Sequence, residues 1–180
     1  PSLPVGTGIL VNSNPALITG LEPSTSYVFF VRALCSDNDT SAWSIGANFS
    51  TKPANDECAD AEFVPVNSSA VCNQIVSGVV SGAGPSTGVP PIAAPCVGTA
   101  DDDVWFRFTA TSSTAIINRT TTGGWDSGIE IFASTGAAPG SCIGASLGCQ
   151  DAESSFIVPG LTVGMNYYVR VYTSSANFSP

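Results

Sequence analysis

The sequence predicts an all-β protein made of two β-sandwich modules. Its 180 residues include 18 Gly and 13 Pro, a content typical of frequent turns and not of long helices. Apolar residues recur at every second position in short runs, such as Tyr27–Ala33 and Tyr167–Val171, and this period indicates strands. The hydrophobic fraction is 43% and the charged fraction 11%, so the chain is not a disordered acidic tail.

The first module covers residues 1–53. Gly20 and Pro23 predict a turn that leads into a strand over Tyr27–Ala33, with apolar residues on both faces. A polar loop over 36–40, the segment Ser41-Ala-Trp-Ser44 and a last strand over 47–51 follow. So few strands cannot bury their own apolar faces, so we expect further strands to complete this module.

These residues form the pattern G-L-x-P-x-T-x-Y-x-x-x-V-R-A, followed by S-x-W-S and F-S-T. The pattern resembles the C-terminal half of a fibronectin type III domain, in particular the version found in bacterial surface proteins exported by the type IX system. The resemblance implies a tyrosine corner, in which the Tyr27 hydroxyl bonds to the backbone near Leu21. The first strands and the core tryptophan of such a domain are missing from residues 1–53.

The second module covers residues 54–180 and contains short β runs separated by Gly, Pro and Asp. In order, it carries N-D-x-C-x-x-A, D-V-W-F-x-F, D-x-x-I-x-I-F, C-x6-C-x-D and G-L-x5-Y-Y-V-R-V. This order resembles the bacterial pre-peptidase C-terminal-like domain and implies a jelly-roll sandwich. Such domains add a closing strand, so we expect the last strand to lie outside this sequence.

One spacing occurs in both modules. Leu21 to Tyr27 and Leu161 to Tyr167 follow a glycine at the same distance, and each tyrosine enters a strand that contains Val-Arg. The repeat predicts two tyrosine corners, one in each sandwich.

The charge balance excludes several classes of function. Five Lys and Arg against fourteen Asp and Glu give a net charge of −9, and nucleic-acid binding needs clustered cations instead. The absence of His excludes Ser-His-Asp triads and His-ligated metals. No apolar run has the roughly 18 residues of a membrane span. These observations favour a secreted module that is not an enzyme.

The six cysteines indicate an oxidising compartment. We predict disulfides between Cys142 and Cys149, whose intervening segment suits a hairpin, and between Cys58 and Cys72. No partner is predicted for Cys35 or Cys96. The alternative is that some of these residues are buried thiols.

Acidic residues supply the best candidate for a metal site, since carboxylate oxygens suit calcium. The alternative is a solvated acidic rim with no metal. The candidate ligands are Asp56, Asp101, Asp102, Asp103, Asp126 and Asp151, with Glu57 beside them.

A sugar site is also predicted from aromatic residues. Trp125 follows two glycines in a turn and is placed to stack on a sugar ring, while Asp126 accepts hydrogen bonds from sugar hydroxyls. Tyr172, at a strand end, is a second aromatic candidate. The alternative is that Trp125 packs against its own sheet. Trp105 is predicted to pack in the core, and Glu130 to point to solvent from its strand.

We therefore expect a non-catalytic module of a large secreted bacterial cell-surface protein that serves adhesion or assembly, through filaments or glycan binding. The alternative is an accessory substrate-binding region of a secreted peptidase or polysaccharide-degrading enzyme. The expected partners are other domains of the same polypeptide or neighbouring subunits, together with surface glycans. These partners would supply strands at both ends of the sequence, unless the two modules cover each other's open faces.

Overall fold

The computed structural model describes residues 8–36, 39–69, 71–92, 94–122, 126–135, 144–151 and 155–174. The chain divides into two compact units, unit 1 (Pro1–Thr51) and unit 2 (Lys52–Pro180). It is an all-β protein, as predicted, and the helical content of the described residues is one 3-10 turn, Cys58–Asp60. None of the described helical segments has the length and apolarity needed to cross a bilayer.

Unit 1 contains four short strands. β1 (Ser26–Phe29) pairs antiparallel with β4 (Ala47–Ser50), and β2 (Leu34–Ser36) pairs with β3 (Asp39–Thr40). The predicted strand over Tyr27–Ala33 is shorter than expected.

Serine hydroxyls interrupt that strand. The Val31 N–H donates to Ser44 Oγ at 3.1 Å, and the Ala33 N–H donates to Ser41 Oγ at 2.8 Å. Since these N–H groups bond to side chains, the regular backbone ladder ends at Phe29.

Unit 2 is a β-sandwich with a five-stranded sheet in the order β5-β6-β11-β8-β9. A two-stranded sheet, β7 paired with β10, faces it across the core. The seven strands are β5 (Glu62–Phe63), β6 (Val104–Thr109), β7 (Thr114–Asn118), β8 (Ser127–Ala133), β9 (Ser146–Gln150), β10 (Ser155–Pro159) and β11 (Asn166–Thr173).

Alternation along the strands gives the five-stranded sheet two different buried faces. One face is apolar and packs with Val158 of β10 around Phe108, Ile131 and Val169. The other face carries Trp105, which is buried in the core as predicted, together with charged groups.

Both predicted tyrosine corners are confirmed. The Glu22 N–H donates to the Tyr27 hydroxyl at 2.9 Å, and the Thr162 N–H donates to the Tyr167 hydroxyl at 2.8 Å. Each bond joins the tyrosine to the residue that follows the predicted leucine, so the shared spacing in sequence becomes the same contact in both units.

The two corners differ in burial, which predicts different stabilities for matched variants. Tyr167 is buried, whereas Tyr27 is half-buried and Glu22 is exposed. Tyr167→Phe should lower the free energy of unfolding by about 1 kcal/mol, since the Thr162 N–H loses a partner in a partly buried setting. Tyr27→Phe should cost less, because water replaces the bond at Glu22. Urea denaturation of both variants measures this difference, and an equal or larger loss for Tyr27→Phe would contradict it.

Both predicted disulfide pairings are wrong. Cys149 is bonded to Cys96, 53 residues earlier in the chain, and not to Cys142, which lies outside the described residues. Cys58 is disulfide-bonded, but Cys72 is a free, exposed thiol, as is Cys35. Both predictions paired cysteines that are close in sequence. The observed bond instead joins Cys149, in β9, to Cys96, in the long connection between β5 and β6.

Candidate functional site

The charged face of the five-stranded sheet is built by cross-strand pairing. Arg170 of β11 lies opposite Trp105 of β6 on one side and Glu130 of β8 on the other. Glu130 is 0% exposed, so the prediction that it points to solvent is wrong. Its alternation with Ile129 and Ile131 does place Glu130 on the face of the sheet opposite the apolar core, but that second face is also buried.

A buried ladder of charges crosses this face. Arg170 Nε donates to Asp103 Oδ2 at 2.7 Å, and Arg170 Nη1 lies 3.6 Å from Glu130 Oε2. The other Glu130 oxygen, Oε1, accepts a hydrogen bond from Ser146 Oγ at 2.7 Å. Burial raises the pKa of Asp103, while the charge and hydrogen bond of Arg170 and the hydrogen bonds from Ser86 act in the opposite direction.

A segment that we call the strap, residues 80–92, covers this ladder. It has no regular secondary structure and is held by polar contacts. Arg170 Nη1 donates to the Pro90 carbonyl at 3.0 Å, and Trp105 Nε1 donates to Ser86 Oγ at 2.6 Å. The aromatic and charged groups of the face are therefore closed off from solvent by the strap.

Carboxylates hold the N-terminal part of the strap. Asp56 Oδ1 accepts from the Gly84 N–H at 2.6 Å, and Glu57 Oε2 accepts from the Thr87 N–H at 3.0 Å. Asp56 also pairs with Lys52 at 2.5 Å. These acidic groups serve as acceptors for the chain's own backbone.

The six predicted calcium ligands do not form one cluster. In the part of the chain that the structure describes, no group of three or more acidic or thiol side chains is placed to hold a metal ion. Asp102, for example, accepts from the Thr173 N–H at 3.0 Å and from Thr173 Oγ1 at 2.6 Å. Calcium binding stays a prediction, tested by comparing the melting temperature in chelator with that in millimolar calcium.

Two of the predicted residues, Asp126 and Asp151, do lie near each other, around Arg119 at one end of the sandwich. We call this end the Arg119 end. Arg119 directly follows β7, and its guanidinium donates to the carbonyls of Ser127 at the start of β8 and Asp151 after β9. The Ser174 N–H, after β11, donates to the Asp126 carbonyl at 3.1 Å. The Arg119 side chain and the Ser174–Asp126 backbone bond therefore connect β7, β8, β9 and β11 at this end.

Electrostatic interactions show the proximity of these groups. Burial lowers the pKa of Arg119, and the charges of Asp126 and Asp151 oppose that shift. Burial also raises the pKa of Tyr172 to about 12, with further contributions from Asp151 and Glu130. Asp126 is exposed and Asp151 is half-buried, so the accessible charge at this end is acidic.

The three predicted sugar-binding residues have different outcomes. Asp126 is exposed at the Arg119 end, and Trp125 lies outside the described residues. Tyr172 is 0% exposed, so its predicted role in stacking on a ligand from the surface is wrong. The physical reason is Gly128 opposite it, where any Cβ would overlap the tyrosine ring. Because Gly128 has no side chain, the Tyr172 ring packs directly against the backbone of β8.

The comparison with protein families concerns the unit that carries this end. A family model described as galactose binding domain-like, for domains associated with the type IX secretion system, matches residues 54–179. The chain belongs to this galactose binding domain-like family. No curated protein and no solved structure is significantly similar to the chain.

Membership of the galactose binding domain-like family indicates a non-catalytic accessory module of a secreted or surface protein. The matched range is the one in which the sequence resembles the pre-peptidase C-terminal-like domain. The family model supports the coarser assignment, a β-domain associated with type IX secretion.

In this galactose binding domain-like unit, sequence reasoning missed Arg119, placed Glu130 in solvent and missed Arg170. A signal existed for the last two. Each is a lone charge inside a strand of apolar and aromatic residues, Ile-Glu-Ile-Phe and Tyr-Val-Arg-Val-Tyr, and a buried charge needs a partner. Arg119 had no such signal, since it follows a half-exposed strand and its partners are backbone carbonyls.

Proposed function

We propose that unit 2 is a saccharide-binding module that attaches a secreted bacterial protein to surface glycans, and that the Arg119 end is its binding site. The observation that carries this proposal is the galactose binding domain-like match over 54–179, in a unit whose end presents accessible carboxylates. Carboxylate oxygens accept hydrogen bonds from sugar hydroxyls, and charge-assisted hydrogen bonds are the stronger kind.

The charge at this end selects among saccharides. Asp126 and Asp151 lie close enough to Arg119 for their charges to act on it, and the Arg119 guanidinium already donates to two carbonyls. Acidic sugars would meet like charges there. The site therefore favours neutral sugars over uronic acids or sulfated glycans.

Matched ligands and variants test this proposal. Isothermal titration of the full chain should detect galactose with a Kd of roughly millimolar strength, as expected for a small polar ligand, and no binding of galacturonic acid. Asp126→Asn should weaken galactose binding by about tenfold, which corresponds to ~1.4 kcal/mol.

Asp60→Asn is the control, since Asp60 is an exposed carboxylate in the same unit, in the 3-10 turn. Binding that responds equally to both variants, or that prefers galacturonic acid, would place the site elsewhere.

The role of unit 1 is a separate part of the proposal. Its Tyr27 corner and antiparallel pairing support the fibronectin type III resemblance. We propose that it acts as a spacer or assembly module beside the saccharide-binding unit, with other domains or neighbouring subunits as its partners.

A further inference from the structure

Four buried side-chain oxygens of unit 2 have no hydrogen-bond partner in the part of the chain that the structure describes. They are Glu130 Oε2, Asp151 Oδ1, the Tyr172 hydroxyl oxygen and Ser174 Oγ. A buried oxygen without a partner is costly, and buried polar groups in native proteins are nearly always paired. Glu130 Oε2 at least faces the Arg170 guanidinium at 3.6 Å. The other three oxygens indicate a place where a group from outside the chain binds.

Strand pairing brings these three oxygens to the Arg119 end. Tyr172 lies opposite Gly128, and a Cβ on Gly128 would lie 2.4 Å from the Tyr172 hydroxyl oxygen, so this hydroxyl sits directly over β8. Ser174 comes two residues later and continues the pairing with β8 by donating its N–H to the Asp126 carbonyl. Asp151, after β9, is close enough for its charge to act on both Tyr172 and Arg119.

The three oxygens lie next to accessible surface. Asp126 is exposed, and Asp151 is half-buried as a residue although its Oδ1 is covered. Ser174 and Asp151 lie just outside β11 and β9. Rotation about their side-chain bonds therefore turns their oxygens toward a ligand without moving the sheet, and the ligand then meets the Tyr172 hydroxyl beneath them.

The donors and acceptors of this set match one hydroxyl group of a ligand. Burial raises the pKa of Tyr172 to about 12, so its hydroxyl keeps its proton at neutral pH and donates. Ser174 Oγ also donates, and Asp151 Oδ1 accepts. A sugar hydroxyl has one proton to donate and two lone pairs, so it satisfies all three groups at once. A methyl ether has no proton for Asp151, and a carboxylate would be repelled by it.

We propose that the Tyr172 hydroxyl, Ser174 Oγ and Asp151 Oδ1, which we call the oxygen triad, bind one free hydroxyl of the saccharide held at the Arg119 end. This inference rests on the proposed function and adds the groups that determine its specificity. Tyr172 acts through its hydroxyl and not by stacking its ring. The triad selects saccharides in which that hydroxyl is unmodified and rejects those in which it is methylated or missing.

Paired changes in ligand and protein test the oxygen triad. The full chain is titrated with galactose and with the monodeoxy galactoses, each of which lacks one hydroxyl, while amide chemical shifts are followed. One analogue should bind at least about tenfold more weakly than galactose, because a site built to hydrogen-bond a hydroxyl rejects the analogue without it. Tyr172→Phe should weaken galactose binding by about tenfold and reduce the difference between galactose and that analogue at least about threefold.

Tyr167→Phe is the matched control, because it removes a buried tyrosine hydroxyl from the apolar face of the same strand. It should leave the affinities for galactose and for the analogue unchanged. Melting temperatures without sugar separate ligand binding from a structural role. Tyr172→Phe removes an unpartnered hydroxyl and should leave the melting temperature unchanged or higher, whereas Tyr167→Phe should lower it.

The possible results distinguish this inference from the proposed function. Galactose binding that tolerates every monodeoxy analogue equally, or that is unchanged in Tyr172→Phe, would overturn the oxygen triad and leave the saccharide proposal standing. No binding of galactose by the unsubstituted chain would overturn both. A melting temperature lowered as far by Tyr172→Phe as by Tyr167→Phe would show that the hydroxyl already has a partner, and would overturn the triad.

Discussion

Arg170→Met should lower the free energy of unfolding by roughly 3–5 kcal/mol, the cost of leaving buried charges without a partner. Asp103 and Glu130 are both 0% exposed, and Arg170 is the cation that faces each of them. The same substitution removes the hydrogen bond to the Pro90 carbonyl. A loss of this size is a large part of the 5–15 kcal/mol that stabilises a typical domain.

Arg107→Met is the control for Arg170→Met. Arg107 lies on β6, is half-buried, and places its guanidinium carbon 5.3 Å from the centre of the Phe63 ring. Its loss should cost less than about 1 kcal/mol. Chemical denaturation measures both values.

A rescue variant separates charge from packing. Because apolar replacement of a whole buried ion cluster is often neutral, Arg170→Met/Asp103→Leu/Glu130→Met should recover most of the stability lost in Arg170→Met. Equal losses for Arg170→Met and Arg107→Met would contradict the buried ladder.

Removal of the Cys96–Cys149 bond should lower stability by about 4 kcal/mol in the chain-entropy model, given its separation of 53 residues. Cys96→Ser/Cys149→Ser tests this value by denaturation. Cys72→Ser is the control, and it should change stability by less than about 0.5 kcal/mol because the thiol is exposed and free.

Mass spectrometry checks the pairing itself. Alkylation before digestion should label Cys72, and a chymotryptic digest, which cuts at Leu147 between Cys142 and Cys149, should link Cys149 to the peptide that carries Cys96. A Cys142–Cys149 or Cys58–Cys72 linkage would contradict the structure.

Local features of the fold could be predicted from the sequence. The tyrosine corners depend on a five-residue separation within one turn and strand, and the alternation in β8 and β11 decides which residues share a face. Both features depend on residues that are close in sequence, so the local pattern of residue types is enough to predict them.

Long-range features could not be predicted in the same way. Glu130 lies on the face opposite the apolar core, as its alternation indicates. The strap, about 40 residues earlier in the chain, contacts Arg170 on that face, next to Glu130. The Cys96–Cys149 pairing depends on the same long connection between β5 and β6, beyond the end of the strap. No periodic pattern marks the strap, because polar contacts hold it in place.

The candidate site shows a similar division. Asp126 and Asp151 were predicted as polar ligands and do lie near each other, around Arg119. Their common partner was missed because it acts on backbone carbonyls, which have no sequence signature. Tyr172 was misplaced because the role of Gly128 depends on strand register.

Chemical-shift mapping of the full chain with galactose is the most direct test of the proposed saccharide site. The proposed saccharide site predicts amide perturbations confined to the Arg119 end, at Arg119, Asp126, Ser127, Asp151 and Ser174. It also predicts no perturbation at these amides with galacturonic acid at the same concentration. Perturbations centred on the β1–β4 sheet of unit 1 or on β5, or no perturbation at any amide of unit 2, would contradict it.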